Sequence, residues 1–169
     1  LSAFVSALVT ESKDLDYQIF LVGTGFNFPA EVQSNPRLEI VNQYVGSWDA
    51  LEVASDFMDG RLYSTLKLRP DSSKQFVIIT DDDATYSTNT SFVDAIKRGG
   101  HTNVHLNGLV GISSSVNNGW CSIESVGGTY IQIAAQTETA GLIQDLCLED
   151  WSKLLENLSN AILKAVPQR

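Results

Sequence analysis

The chain has 169 residues, 43% of them hydrophobic and 18% charged, which suits one globular domain with a core of its own. Its net charge of −9, with only 11 scattered Lys and Arg, argues against a nucleic-acid partner, whose phosphates need clustered Lys and Arg. No uninterrupted apolar run reaches the roughly 18 residues of a membrane helix, so no transmembrane segment is expected.

Leu1, Phe4, Val5, Leu8 and Val9 recur at helical spacing with no capping residue ahead of them, so the chain reads as opening inside an amphipathic helix. Residues 15–23 form a nearly continuous apolar run, the pattern of a strand covered on both faces. Gly23, Gly25, Asn27, Pro29, Asn35 and Pro36 mark a loop, and a second strand is predicted over 38–45. Ser47 is placed to cap a helix whose apolar face is Leu51, Ala54, Phe57 and Met58, and Gly60 stops it.

The run Phe76-Val77-Ile78-Ile79 predicts a buried strand over 75–80, which ends abruptly in Thr80-Asp81-Asp82-Asp83. A helix over 91–98 stops at Gly99-Gly100, a strand follows over 104–112, and 113–119 is a small polar loop. A short helix is predicted over 130–135. Trp151, Leu154, Leu155, Leu158, Ile162 and Leu163 then give an amphipathic final helix, with Glu149 and Asp150 near its positive end. Strands alternating with helices predict one α/β domain over 1–169, doubly wound, with a mostly parallel sheet and helices on both faces.

The chemistry concentrates in the aspartate run. In open α/β sheets ligands bind beyond the carboxyl ends of the strands, and Asp81 sits at such an end. Clustered carboxylates repel one another unless a cation, a positive side chain or a proton relieves them, and the next Lys or Arg is Lys97. Two readings follow: an oxygen-rich site for Mg²⁺ or Ca²⁺, or a solvated turn capping the next helix.

Asp81, Asp83 and Thr85 also match D-x-D-x-T after an apolar strand, which resembles the first motif of haloacid dehalogenase-like phosphatases. That resemblance implies a nucleophilic Asp81 and a general-acid Asp83. The motif, however, lies almost halfway along the chain, and no later G-D-x-x-x-D partner follows it. A Ser/His/Asp hydrolase is disfavoured, since there is no G-x-S-x-G and His101 and His105 lack a triad context. Cys121 and Cys147 show no metal-ligand spacing. They read either as two buried thiols or as a disulfide formed in an oxidising compartment. Sequons at Asn89 and Asn157 matter only in a eukaryotic secretory setting, and the second falls in the final helix.

A larger pattern runs through these pieces. Asp16-Tyr17-Gln18-Ile19, Val45-Gly46-Ser47-Trp48-Asp49-Ala50-Leu51, Leu68-Arg69-Pro70 and Lys74 to Asp83 occur in an order that resembles von Willebrand factor A domains. The nearest similarity is to a bacterial branch found in surface or lipoprotein-like proteins of myxobacteria. Cys121, Gly128-Thr129-Tyr130, Ala134-Ala135-Gln136-Thr137 and Asp145-Leu146-Cys147 extend it to nearly the whole chain.

The resemblance implies a Rossmann-like doubly wound fold and a metal-ion-dependent adhesion site holding Mg²⁺ or Ca²⁺. Thr80-Asp81 matches the T-D-G-like turn, making Asp81 the leading metal ligand, while Asp82 stands where Gly is usual. Ser47 matches the hydroxyl ligand of a second loop, Asp49 is its substitute, and Asp82 is a further candidate.

The family's D-x-S-x-S motif is absent. On this resemblance the chain begins within the helix after that motif, so the first strand and part of the metal cage lie upstream. The implied function is non-catalytic binding of a protein ligand, through a carboxylate that completes the metal site. An extracytoplasmic location (secreted, periplasmic or anchored at the cell surface) and a Cys121–Cys147 disulfide are implied with it.

Overall fold

The run Phe76-Val77-Ile78-Ile79 lies inside a strand, β3, over Lys74–Thr80, and the rest of the architecture is arranged around it. The computed structural model describes residues 4, 5, 8, 10, 16–25, 30–62, 68–69, 71–84, 88–112, 121–136, 139–148 and 150–165. In chain order the elements are β1 (Ile19–Gly23), α1 (Ala30–Gln33), β2 (Leu38–Asn42), α2 (Ala50–Met58), β3, α3 (Thr88–Arg98), β4 (Val104–Val110), α4 (Gly128–Ala134), β5 (Ile143–Asp145) and α5 (Trp151–Ala165).

Every described strand pairing is parallel. β1 pairs with β2 with Ile19 opposite Leu38, β3 with β4 with Lys74 opposite Val104, and β4 with β5 with Gly108 opposite Ile143. The hydrogen-bonded ladders form two sheets, β1-β2 and β3-β4-β5. Parallel strands need crossover connections, and the helices between them supply these.

These helices cover one side of the strands, and the final helix covers the other. On one side α2 places Phe57 against Phe20 of β1, with ring centroids 5.2 Å apart. Leu51, Ala54 and Met58 of α2 also join the cluster around Ile78 of β3, together with Phe92 and Ile96 of α3 and Tyr130 and Ile133 of α4. Phe76 meets Phe92 edge to face at 5.3 Å, a favoured aromatic geometry. On the opposite side Leu158 and Ile162 of α5 cluster with Phe4, Val5 and Leu38, and Ile19, Leu21 and Val77 pack against them. Alternation along β1 and β3 thus sends successive side chains to two different helical layers. The fold is α/β with parallel strands and helices on both faces, as the sequence pattern predicted.

Several expectations are corrected. The connection after β1 holds the single turn α1 where only a loop was predicted. β2 ends at Asn42, three residues short of the predicted end. β5 was not predicted, because its three residues Ile-Gln-Asp carry no periodic signal and its conformation comes from pairing with β4. Ser47 does not cap α2: Asp49 occupies the cap position without a side-chain cap hydrogen bond. Two stops hold as read, with Gly60 at φ +66° and Gly100 at φ +62°, a left-handed conformation that glycine adopts without a Cβ penalty. Thr85, the loop over 113–119 and Glu149 lie outside the described residues. Among the described residues no helix is long and apolar enough to cross a membrane.

Candidate functional site

Three loops meet beyond the carboxyl ends of the parallel strands: residues 43–49 after β2, 81–84 after β3, and 121–127 before α4. Thr80, the last residue of β3 and buried, starts the connection. Its hydroxyl donates to the Ser47 carbonyl at 2.8 Å and accepts from the Asp82 N–H at 3.2 Å. One side chain thereby fixes two of the loops to the strand end.

The Asp82 carboxylate is the centre of the cluster. Its Oδ1 accepts from the Ser125 hydroxyl at 2.6 Å and from the Asp83 N–H at 2.8 Å, and its Oδ2 accepts from the Ser47 hydroxyl at 3.3 Å. The Ser125 hydrogen bond, followed by those from Asp83 and Ser47, holds the Asp82 pKa below the usual carboxylate value against the opposing effect of burial. Hydroxyl and amide donors therefore supply the relief that no nearby Lys or Arg provides.

Asp83 is committed elsewhere. Its Oδ1 accepts from the Ala84 and Thr129 N–H groups, each at 2.9 Å, and its Oδ2 from the Thr129 hydroxyl at 3.2 Å. Thr129 is in the first turn of α4, so a carboxylate 46 residues away satisfies an N–H that the helix itself leaves unbonded. Asp81 differs again. Its side chain is exposed, and its carbonyl accepts from the N–H groups of Glu124 at 2.8 Å and Ser125 at 3.1 Å.

Asp49 contributes a carboxylate whose Oδ1 is buried without a hydrogen-bond partner among the described residues. The carboxylate lies over Gly46, where an added Cβ would come within 3.3 Å of Oδ2. Nearby, Tyr130 of α4 is fully buried and its hydroxyl also lacks a partner. Burial first, then the charges of Asp83, Asp82 and Asp49, raise its pKa and keep the phenol protonated.

Cys121 and Cys147 are joined by a disulfide, with Cα atoms 5.6 Å apart. It ties the start of the 121–127 loop to the turn after β5, and Ile123 of that loop sits where a Cβ on Gly111 would be only 2.7 Å away. A large side chain at Gly111 would displace the loop that carries Ser125. Tyr44 and Trp48, in the loop after β2, and Ile112, after β4, are exposed apolar side chains.

Of the sequence candidates, the structure joins Ser47 to Asp82, not to Asp81, and sets Asp49 two residues from Ser47. Among the described residues no group of three or more His, Cys, Asp or Glu is arranged to hold a metal ion. Sequence reasoning missed Ser125, Thr129 and Tyr130 as members of the site. No local signal marks the first, and the other two were read only as part of a family pattern. His101 and His105 lie elsewhere, against the carbonyls of Met58 and Ala140. Compared with family models, curated proteins and solved structures, the chain finds no match.

Proposed function

We propose that the chain is a protein-binding, adhesion-type domain that uses a divalent cation, Mg²⁺ or Ca²⁺, at the carboxyl edge of its sheet. The observation that carries this reading is Asp49 Oδ1, a buried carboxylate oxygen without a protein partner beside the Ser47–Asp82 pair. A buried carboxylate oxygen left without a partner is costly, and a cation removes that cost. The available donors are carboxylate and hydroxyl oxygens, the ligands that hard cations prefer. Asp49 and Asp82 would hold the ion with the Ser47 hydroxyl, and the exposed Asp81 would form the outer wall.

The cation supplies positive charge on an acidic surface, which is what a carboxylate of a protein ligand requires. Exposed Tyr44, Trp48 and Ile112, on the loops after β2 and β4, offer apolar contact area, the composition favoured at interface cores. The resemblance to von Willebrand factor A domains supports the same reading. The Cys121–Cys147 disulfide supports an extracytoplasmic location, since such bonds persist in oxidising compartments.

The phosphatase reading draws less support. A general acid must be free to give up a proton, whereas both oxygens of Asp83 are engaged as acceptors from Ala84 and Thr129. The test is calorimetric titration of the protein with MgCl₂ and CaCl₂, beside an assay for Mg²⁺-dependent hydrolysis of a simple phosphate ester. Cation binding without turnover supports the binding domain. Turnover abolished by Asp81→Asn would replace it with the enzyme.

A further inference from the structure

We infer that a cavity near the amino ends of β3 and β4 binds a small carboxylate with a short apolar body, Lys164 of α5 pairing with the carboxylate. The inference is independent of the cation reading, whose residues lie beyond the opposite ends of the strands.

The cavity measures about 450 Å³, within the range of small-molecule sites. Its floor is Gln75 and His105, the second residues of β3 and β4 and partners in the ladder, with Asn107 beside them. Asn107 is buried; its amide donates to Gln75 Oε1 at 3.0 Å and its Oδ1 accepts from the Leu142 N–H at 2.9 Å. One wall is the segment Ala140 to Leu142. A Cβ on Gly141 would lie 2.0 Å from the Leu106 carbonyl oxygen, so this wall is pressed onto β4. The His105 ring is fixed by the Ala140 carbonyl at 2.5 Å and Asn103 Oδ1 at 2.9 Å.

The other wall is α5, and its sequence opens the space. Leu154, Leu158, Ala161 and Ala165 follow one another along one helical stripe. The two leucines are buried, whereas the two alanines line the cavity. The stripe runs out of volume before the helix ends.

Among the described residues no Asp or Glu lines this cavity, although the chain carries 20 of them. Lys164 is the lining residue with a fixed charge, and it forms no ion pair among the described residues. Gln75 donates one amide N–H to the Ser73 hydroxyl at 2.8 Å, which leaves its second N–H for a ligand oxygen. One cation and one amide donor suit a carboxylate, while a phosphate would demand more donors. Leu142, Ala161 and Ala165 suit a short alkyl chain.

The test is amide NMR of the full chain titrated with sodium hexanoate and, separately, with 1-hexanol. Hexanoate is expected to shift the amides of Ala140, Gly141, Leu142, Ala161 and Lys164 to saturation, and hexanol to bind there more weakly. Lys164→Gln should weaken hexanoate about fivefold, the scale of a solvent-exposed ion pair, and leave hexanol unchanged. Ala161→Leu fills the cavity with a good helix former and should abolish both. Lys164 is exposed, so its variant keeps the fold whatever leucine does at position 161.

Hexanoate shifts spread over other surface lysines, or absent, would overturn the site. Hexanoate and hexanol binding alike, or a Lys164→Gln variant that melts lower but binds hexanoate as wild type does, would overturn the pairing and leave Lys164 a complement to the helix dipole.

Discussion

The Ser125 hydroxyl donates to Asp82 Oδ1 at 2.6 Å, joining two loops that are 43 residues apart in sequence. This contact is the largest cause of the lowered Asp82 pKa. Ser125→Ala removes the donor and is expected to cost about 1 kcal/mol in denaturant unfolding at neutral pH. A folded-state pKa below the unfolded value of 3.8 gives stability that is present above that value and lost as pH falls through the folded pKa. The stability difference between variant and wild type therefore shrinks as pH falls below 3.8 and is gone only below the folded pKa. Unfolding curves taken stepwise downward from pH 7 check this, and a difference that does not shrink as pH falls contradicts it.

Reducing the disulfide is expected to act on the same contact. The Cys121–Cys147 link spans 26 residues, for which loop closure predicts about 3 kcal/mol of stabilisation. Because the bond fixes the loop carrying Ser125, reduction or Cys121→Ser with Cys147→Ser should lower the melting temperature and raise the Asp82 pKa together. Carboxyl-resolved NMR titration with and without reductant measures the second effect. A lower melting temperature with an unmoved Asp82 would show the loop held by other contacts.

Thr129→Val tests the tertiary cap. It removes the hydroxyl donor to Asp83 Oδ2 but keeps the backbone N–H to Oδ1. The expected cost is about 1 kcal/mol, read from unfolding, with α4 amides exchanging faster than those of α5. Uniform acceleration across both helices would place the effect elsewhere.

What was legible in the sequence follows from how far each interaction reaches. β3 and the Thr80-Asp81 turn are local, since a run of four large apolar residues ended by carboxylates has few other conformations. Which aspartate faces inward is not local. Asp82 is held by Ser125 from a loop on the far side of β4, and by Ser47 from the loop after β2. No spacing within residues 80–83 encodes those partners. Ser47 shows the same limit: its position before α2 reads as a cap, but its hydroxyl is taken by Asp82 and the helix begins uncapped at Ala50. β5 exists because Gly108 to Val110 offer a ladder to Ile143 to Asp145, a fact carried by β4.

A cation held by Asp49 and Asp82 is tested by Asp49→Asn. The substitution keeps the size of the side chain and removes its negative charge, of which Oδ1 is buried without a partner among the described residues. Without cation the variant should be as stable as wild type or more so, because like-charge repulsion falls. Thermal unfolding of both proteins in EDTA and in millimolar CaCl₂ or MgCl₂ makes the comparison. Cation should raise the melting temperature of wild type and leave Asp49→Asn unmoved. An equal rise in both proteins, or none in wild type, would contradict it.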